Sequence, residues 1–268
     1  MLTFRDYAEA GAEDNTEEHA LTPPHRRQLR VVVFSSQKGG SGKTTLCGQL
    51  AVQAELAGDG PVALVDTDPQ GSLAQWWNAR AAETPLFFKT SGDYLHEDIR
   101  QLESVGVRYV LIDTPPAVTE MISKIVKYAD LVVVPTRPSP HDLRAVGATL
   151  DIIEAQQKPC VFAINAATRM AKITGDTAIA LSQHGTVAPV TVHQRTDFAT
   201  SMIHGGTVME ANPEGRSANE ITELWRYLAS RLDESRPRVT QGTGMFRRPQ
   251  AGHGFGRRKP HQETSATG

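Results

Sequence analysis

At 268 residues, with a formal net charge of -2, the chain fits one α/β core with tails and has no global positive charge to mark a nucleic-acid binder. No stretch approaches the roughly 20 apolar residues that a membrane-spanning helix needs, and the first residues are acidic rather than basic-then-apolar. Cys47 and Cys160 form no C-x-x-C pair for zinc or a cluster and no disulfide framework, so the composition predicts a soluble protein of a reducing cytoplasm.

Residues 1–28 scatter Asp6, Glu9, Glu13, Asp14, Glu17 and Glu18 around a Thr22-Pro23-Pro24 break and predict a flexible acidic arm. Beyond it, seven short runs are apolar throughout rather than alternating. They are Val31–Ser35, Val62–Val65, Leu86–Lys89, Tyr109–Ile112, Leu131–Val134, Cys160–Ile164 and Val187–Val192. Strands of this kind are buried on both faces. Most of the gaps have room for a helix, which predicts one domain over 29–233 with a mostly parallel central sheet flanked by helices on both faces. The last helix, near Ser217–Leu232, spaces Ile221, Leu224, Trp225 and Leu228 for core packing. From 234 to 268 the chain is rich in Gly, Pro and Arg, the pattern of a disordered basic tail.

Ligands on such sheets bind beyond the C-terminal strand ends. The first run is followed there by Gln37-Lys38-Gly39-Gly40-Ser41-Gly42-Lys43-Thr44-Thr45. Glycines let consecutive backbone N–H groups curl inward, and the helix opening near Thr45 adds positive potential, so the loop cradles a polyphosphate. This is a P-loop NTPase signature for ATP and Mg²⁺, with Lys43 on the β- and γ-phosphates and the Thr44 hydroxyl on the metal. Lys38 is surplus to that scheme. The second run ends in Asp66-Thr67-Asp68-Pro69-Gln70-Gly71-Ser72 and the fourth in Asp113-Thr114-Pro115-Pro116. Carboxylates there can hold Mg²⁺ through its water shell or orient an attacking water.

Together these elements resemble the ParA/MinD family of deviant Walker A ATPases, whose loop K-G-G-x-G-K-[ST] corresponds to Lys38–Thr44; the resemblance spans roughly Arg30 to Leu232. The D-T-D-P-Q-G-S and D-T-P-P runs are closer to the ParA side. The resemblance implies an ATP-dependent homodimer in which Lys38 crosses to the partner's phosphates. Asp68 would position the hydrolytic water, Lys38 and Lys43 would stabilise the transferring phosphoryl group, and Thr44, Asp66 and Asp113 would organise Mg²⁺. Gly39 through Thr45 would bind the nucleotide phosphates and Asn165 the adenine, a buried turn asparagine being the alternative reading for Asn165.

ParA-like ATPases bind DNA without sequence preference, through phosphate contacts that need only charge. Arg195 and Arg216 resemble their DNA-contacting arginines in placement, and Arg169, Lys172, Arg226 and Arg231 could widen the patch. The expected role is a slow, nucleoid-associated ATPase that segregates or positions a cargo and is stimulated by a ParB-like or other cargo-bound adaptor. Two alternatives are less well matched. A MinD-like membrane protein would need an amphipathic C-terminal helix, and the apolar residues of the tail are too scattered. A metabolic P-loop enzyme would need an acceptor pocket, and His141, His184, His193 and His204 form no evident acid-base cluster.

Overall fold

The computed structural model describes residues 28–90, 92–117 and 119–234. The expectations for the arm and the tail therefore lie, but for their inner edges, outside the described residues. Seven strands form one parallel sheet in the order β3-β2-β4-β1-β5-β6-β7. They are β1 (Arg30–Phe34), β2 (Val62–Asp66), β3 (Leu86–Lys89), β4 (Tyr109–Asp113), β5 (Leu131–Thr136), β6 (Cys160–Ile164) and β7 (Thr186–Val187). Between and after them run α1 (Lys43–Leu56), α2 (Ser72–Asn78), α3 (Leu95–Ser104), α4 (Glu120–Val126), α5 (Pro140–Ala155), α6 (Lys172–Ser182), α7 (Thr196–Met202), α8 (Val208–Ala211) and α9 (Arg216–Glu234).

The continuous apolar strands split by period two between the sheet's faces. Val32 and Phe34, with Leu64 and Leu111, pack on one side against Leu46 and Leu50 of α1 and Ile221, Trp225 and Leu228 of α9. Val31 and Val33, with Val65 and Ile112, pack on the other against α3, α4 and α5 through Leu102, Ile122 and Ile153. Helix α1 is covered almost all round and α9 lies on it; Trp225 Nε1 donates to Asp59 Oδ2 at 2.9 Å. Among the described residues no helix is long and apolar enough to cross a membrane.

The seventh strand departs from expectation. Pairing with β6 covers only Thr186 and Val187, although Ala188 N still donates to Phe162 O at 2.9 Å. Pro189 has no N–H to continue the ladder. Contact resumes where Val192 N donates to Ile164 O at 2.9 Å, and Ala167 bridges His193. That second touch carries residues 193–195 to the C-terminal edge of the sheet.

A guanidinium secures the segment before α8. Arg80 donates to Gly205 O at 2.8 Å and, through both terminal nitrogens, to Glu210 at 2.6 and 3.0 Å. Gly205 has φ +72°, and a Cβ there would collide with the Arg80 backbone N and Cα. Neither neighbour can rotate away. Gly205→Ala is expected to cost at least about 4 kcal/mol, read as a thermal midpoint roughly 10 °C lower.

Candidate active site

The strand order puts three chain ends side by side: Phe34 is in register with Asp113, and Asp113 with Asp66. Two threonines tie this edge together, Thr67 donating to Asp113 O at 2.6 Å and Thr114 to Phe34 O at 2.7 Å. The glycine-rich loop rises from β1 over these ends, with Gln37 N held by Thr149 Oγ1 of α5 at 3.1 Å. It turns into α1 through Gly42, whose φ of +97° is a left-handed conformation that L side chains resist. A Cβ at Gly42 would also run into Asn165 Nδ2, which instead donates to Ser41 O at 2.8 Å. Asn165 thus braces the loop, and with Thr45 it lines a cavity of about 180 Å³ beside Gly42.

The two lysines have opposite settings. Lys43 is buried and donates to Ser36 O at 3.2 Å, inside the curl of the loop. Burial pulls its pKa down, while the charges of Asp113 and Asp68 act to keep it protonated. Lys38 stands exposed on the solvent side, with Gly39 and Gly40, and has no hydrogen-bond or ion-pair partner among the described residues.

The three aspartates also differ. Asp66 is fully buried, and its two oxygens accept from Asp68 N (2.9 Å) and Ala74 N (3.0 Å), pinning the loop that leads into α2. Asp68 is half-buried and accepts from Gln70 N at 2.9 Å through one oxygen. It faces a cleft of about 650 Å³ shared with Lys89, Tyr94 and Met121. Asp113 accepts from Thr44 Oγ1 at 2.6 Å through Oδ2, while its buried Oδ1 has no partner among the described residues.

An unpaired buried carboxylate oxygen beside a threonine hydroxyl suits a hydrated magnesium ion. Among the described residues no group of three or more His, Cys, Asp or Glu is arranged to hold a metal alone. Mg²⁺ takes one or two protein ligands and completes its shell with water and phosphate. Thr44 and Asp113 would hold the ion, with Asp66 behind them; bound there, it would offset phosphate charge.

Burial, reinforced by the charge of Asp66 and opposed by the Thr44 hydroxyl and Lys43, pushes Asp113 up to about 7. Asp66 is raised as well, chiefly by burial. These two carboxyl groups therefore bind more protons in the folded chain than in the unfolded one between roughly pH 4 and 7, so the stability that they contribute without metal falls as pH rises through that window. Metal binding has the opposite sign, because it needs the carboxylate. Apparent Mg²⁺ affinity in the presence of nucleotide is expected to rise about tenfold per pH unit up to about pH 7 and then level off. Calorimetric titrations across this range check it, and Asp113→Asn should make the profile shallower, leaving the pH dependence of the nucleotide's own terminal phosphate.

Arg195 lines the cavity beside Gly42. Arg195 is engaged in a two-pronged ion pair with Glu220 of α9 at 2.6 and 2.7 Å. Arg216, the first residue of α9, is exposed and unpaired among the described residues. The sequence did not single out the cavity wall formed by Arg137, His193, Gln194 and Phe198. These residues come from two separate segments, Arg137 after β5 and residues 193–198, the second of which reaches the sheet edge where Val192 N bonds Ile164 O and Ala167 bridges His193.

The family model described as VirC1 protein matches residues 29–208. The maintenance of carboxysome distribution protein A of Halothiobacillus neapolitanus is 28% identical over 206 residues, covering 72% of this chain and 94% of that protein. Protein ParA of Rhizobium radiobacter is 32% identical over 134 residues, covering 48% of this chain and 59% of that protein. Among solved structures, apo McdA of Cyanothece has a TM-score of 0.62 at 16% identity over 75% of this chain and all of that one. The cell division ATPase MinD of Pyrococcus furiosus has 0.64 at 16% identity over 76% and 99%. The structural likeness establishes the P-loop fold. By the family match over residues 29–208, the chain belongs to the VirC1 protein family, among the ParA-type partition and positioning ATPases.

Proposed function

We propose that this protein is an ATP-switched positioning ATPase: Mg·ATP brings two copies together across the phosphate loop, the dimer holds DNA without sequence preference, and a cargo-bound adaptor triggers hydrolysis and release. The observation that carries this reading is the pair of lysines set on opposite sides of one loop. Lys43 already fills the inner position at Ser36 O. Lys38, exposed and without a partner among the described residues, adds a cation that a second molecule could use. An ordinary intramolecular ATPase has no need of it. The names of the relatives, which speak of carboxysome distribution and chromosome partitioning, support a positioning role over the making of a small-molecule product. Arg216 on the exposed start of α9 supplies a phosphate contact.

Lys38→Ala tests the reading. It should bind ATP within about threefold of wild type, because Lys43 and the loop backbone remain, yet stay monomeric with ATP in sedimentation velocity. An ATP-dependent dimer of this variant would refute the assignment. Arg216→Glu should dimerise normally and lose DNA affinity in a salt-dependent manner. ATP turnover raised by a metabolite, and not by DNA with a protein partner, would instead favour a metabolic enzyme.

A further inference from the structure

The segment from His193 to Met202 is held in an unusual way. Helix α7 buries none of its residues fully; Phe198 and Met202 only lean on the core. Besides the backbone pairing of Ala167 with His193 and Gln194 at its start, polar contacts to the first two turns of α9 fasten it. Ser217 donates to Asp197 Oδ2 at 2.8 Å. Glu220 receives the backbone N–H of His193 at 3.0 Å, the His193 ring at Nδ1 at 2.8 Å, and both prongs of Arg195. One carboxylate thus closes four contacts. Burial acts to raise Glu220, but the hydrogen bonds from Arg195 and His193 outweigh it and hold the carboxyl below its ordinary value. The group is anionic at neutral pH.

Both ends of this clamp matter to the reading above. His193, Gln194, Arg195 and Phe198 form one wall of the cavity beside Gly42 and Thr45. Arg216 lies one helical turn before Glu220, on the same face of α9. A two-pronged carboxylate also occupies the guanidinium edge that a DNA phosphate would use. Segments with little apolar burial are the ones that reposition at low free-energy cost.

We infer that Glu220 is an internal stand-in for DNA phosphate: it sequesters Arg195 when no nucleotide fills the adjoining cavity, and occupation of that cavity releases Arg195 to join Arg216 on DNA. This rests on the ATP-dependent DNA binding proposed above. Glu220 is a positioning residue, acting through Arg195 rather than on the nucleotide.

The test measures affinity for random-sequence duplex DNA, with and without Mg·ATP, over a range of salt. Nucleotide-free Glu220→Gln should bind DNA about tenfold more tightly than nucleotide-free wild type near 0.1 M salt, with a log-log salt slope steeper by about 0.9, as expected for one added phosphate contact. The double variant Glu220→Gln with Arg195→Gln should return to the wild-type nucleotide-free value. If Glu220→Gln does not fold, Arg195→Lys keeps the cation, breaks the fork, and should move affinity in the same direction. Wild type that binds DNA only with ATP, together with nucleotide-free variants no tighter than it and of unchanged slope, would overturn the clamp alone. A gain that persists in the double variant would also overturn it, since Arg195 would not be the group released. Wild type that fails to bind DNA with ATP would overturn the DNA reading and the clamp with it.

Discussion

Lys43→Ala is expected to lower ATP affinity by about 100-fold or more and to abolish measurable turnover. The ammonium sits inside the loop at 6% exposure, bonded to Ser36 O at 3.2 Å. From there it can turn toward phosphate without crossing solvent. A hydrogen bond to a charged group contributes about 1.5–3 kcal/mol, so losing contacts to two phosphates removes roughly 3–6 kcal/mol of binding. A second effect acts in the same direction. Lys43 is one of the groups that restrain the rise in the Asp113 pKa, so its removal favours the neutral acid and weakens the metal site. The fold should tolerate the change, because the lysine is itself partly desolvated and its one protein bond is to a carbonyl. Equilibrium binding of a fluorescent ATP analogue, with thermal unfolding alongside, checks both parts. Affinity within threefold of wild type would mean that the loop backbone alone holds the nucleotide.

Most of the sheet could be read from the sequence because strands buried on both faces are spelled out by contiguous Val, Ile, Leu and Phe. Six of the seven runs became strands within two residues of the expected ends, as with β5, which runs on through Pro135 and Thr136. The seventh was misjudged for a local reason: Val187–Val192 is apolar enough, but Pro189 interrupts the ladder. The phosphate loop was legible because its chemistry is contiguous, nine residues in a row with a strand before and a helix after. The difference in role between Asp66 and Asp113 was not legible. Both follow an apolar run, and only the packing shows that one has both oxygens bonded to backbone amides while the other keeps a buried oxygen free. Arg195 raised the same difficulty. Its partner Glu220 lies 25 residues away on another helix, and no spacing rule links a loop arginine to a helix glutamate at that distance.

That contrast among the aspartates bears on hydrolysis. Asp66 is fully committed, and Asp113 is turned toward Thr44. Of the three, Asp68 alone is half-exposed, accepting from Gln70 N through Oδ1 at the mouth of the cleft. It is also close enough to Lys43 to favour that lysine's charged form, so under the proposed cycle it lies within electrostatic reach of the bound phosphates. A carboxylate so placed can accept a proton from water or orient it for attack. Asp68→Ala is therefore expected to slow hydrolysis by roughly 10²–10⁴-fold, the range for loss of a general base, while ATP affinity changes by no more than about threefold. The loop should survive, because Asp68 N still donates to Asp66 Oδ1 in the alanine variant. Under the proposed cycle this variant accumulates in the ATP-bound, DNA-bound form, since release waits on cleavage. Phosphate release under single-turnover conditions, measured beside nucleotide affinity, separates the two effects. Unchanged turnover would remove Asp68 from the chemistry, whereas a parallel loss of affinity would make it a binding residue. Only slow cleavage with retained ATP fits a carboxylate whose work is confined to the water.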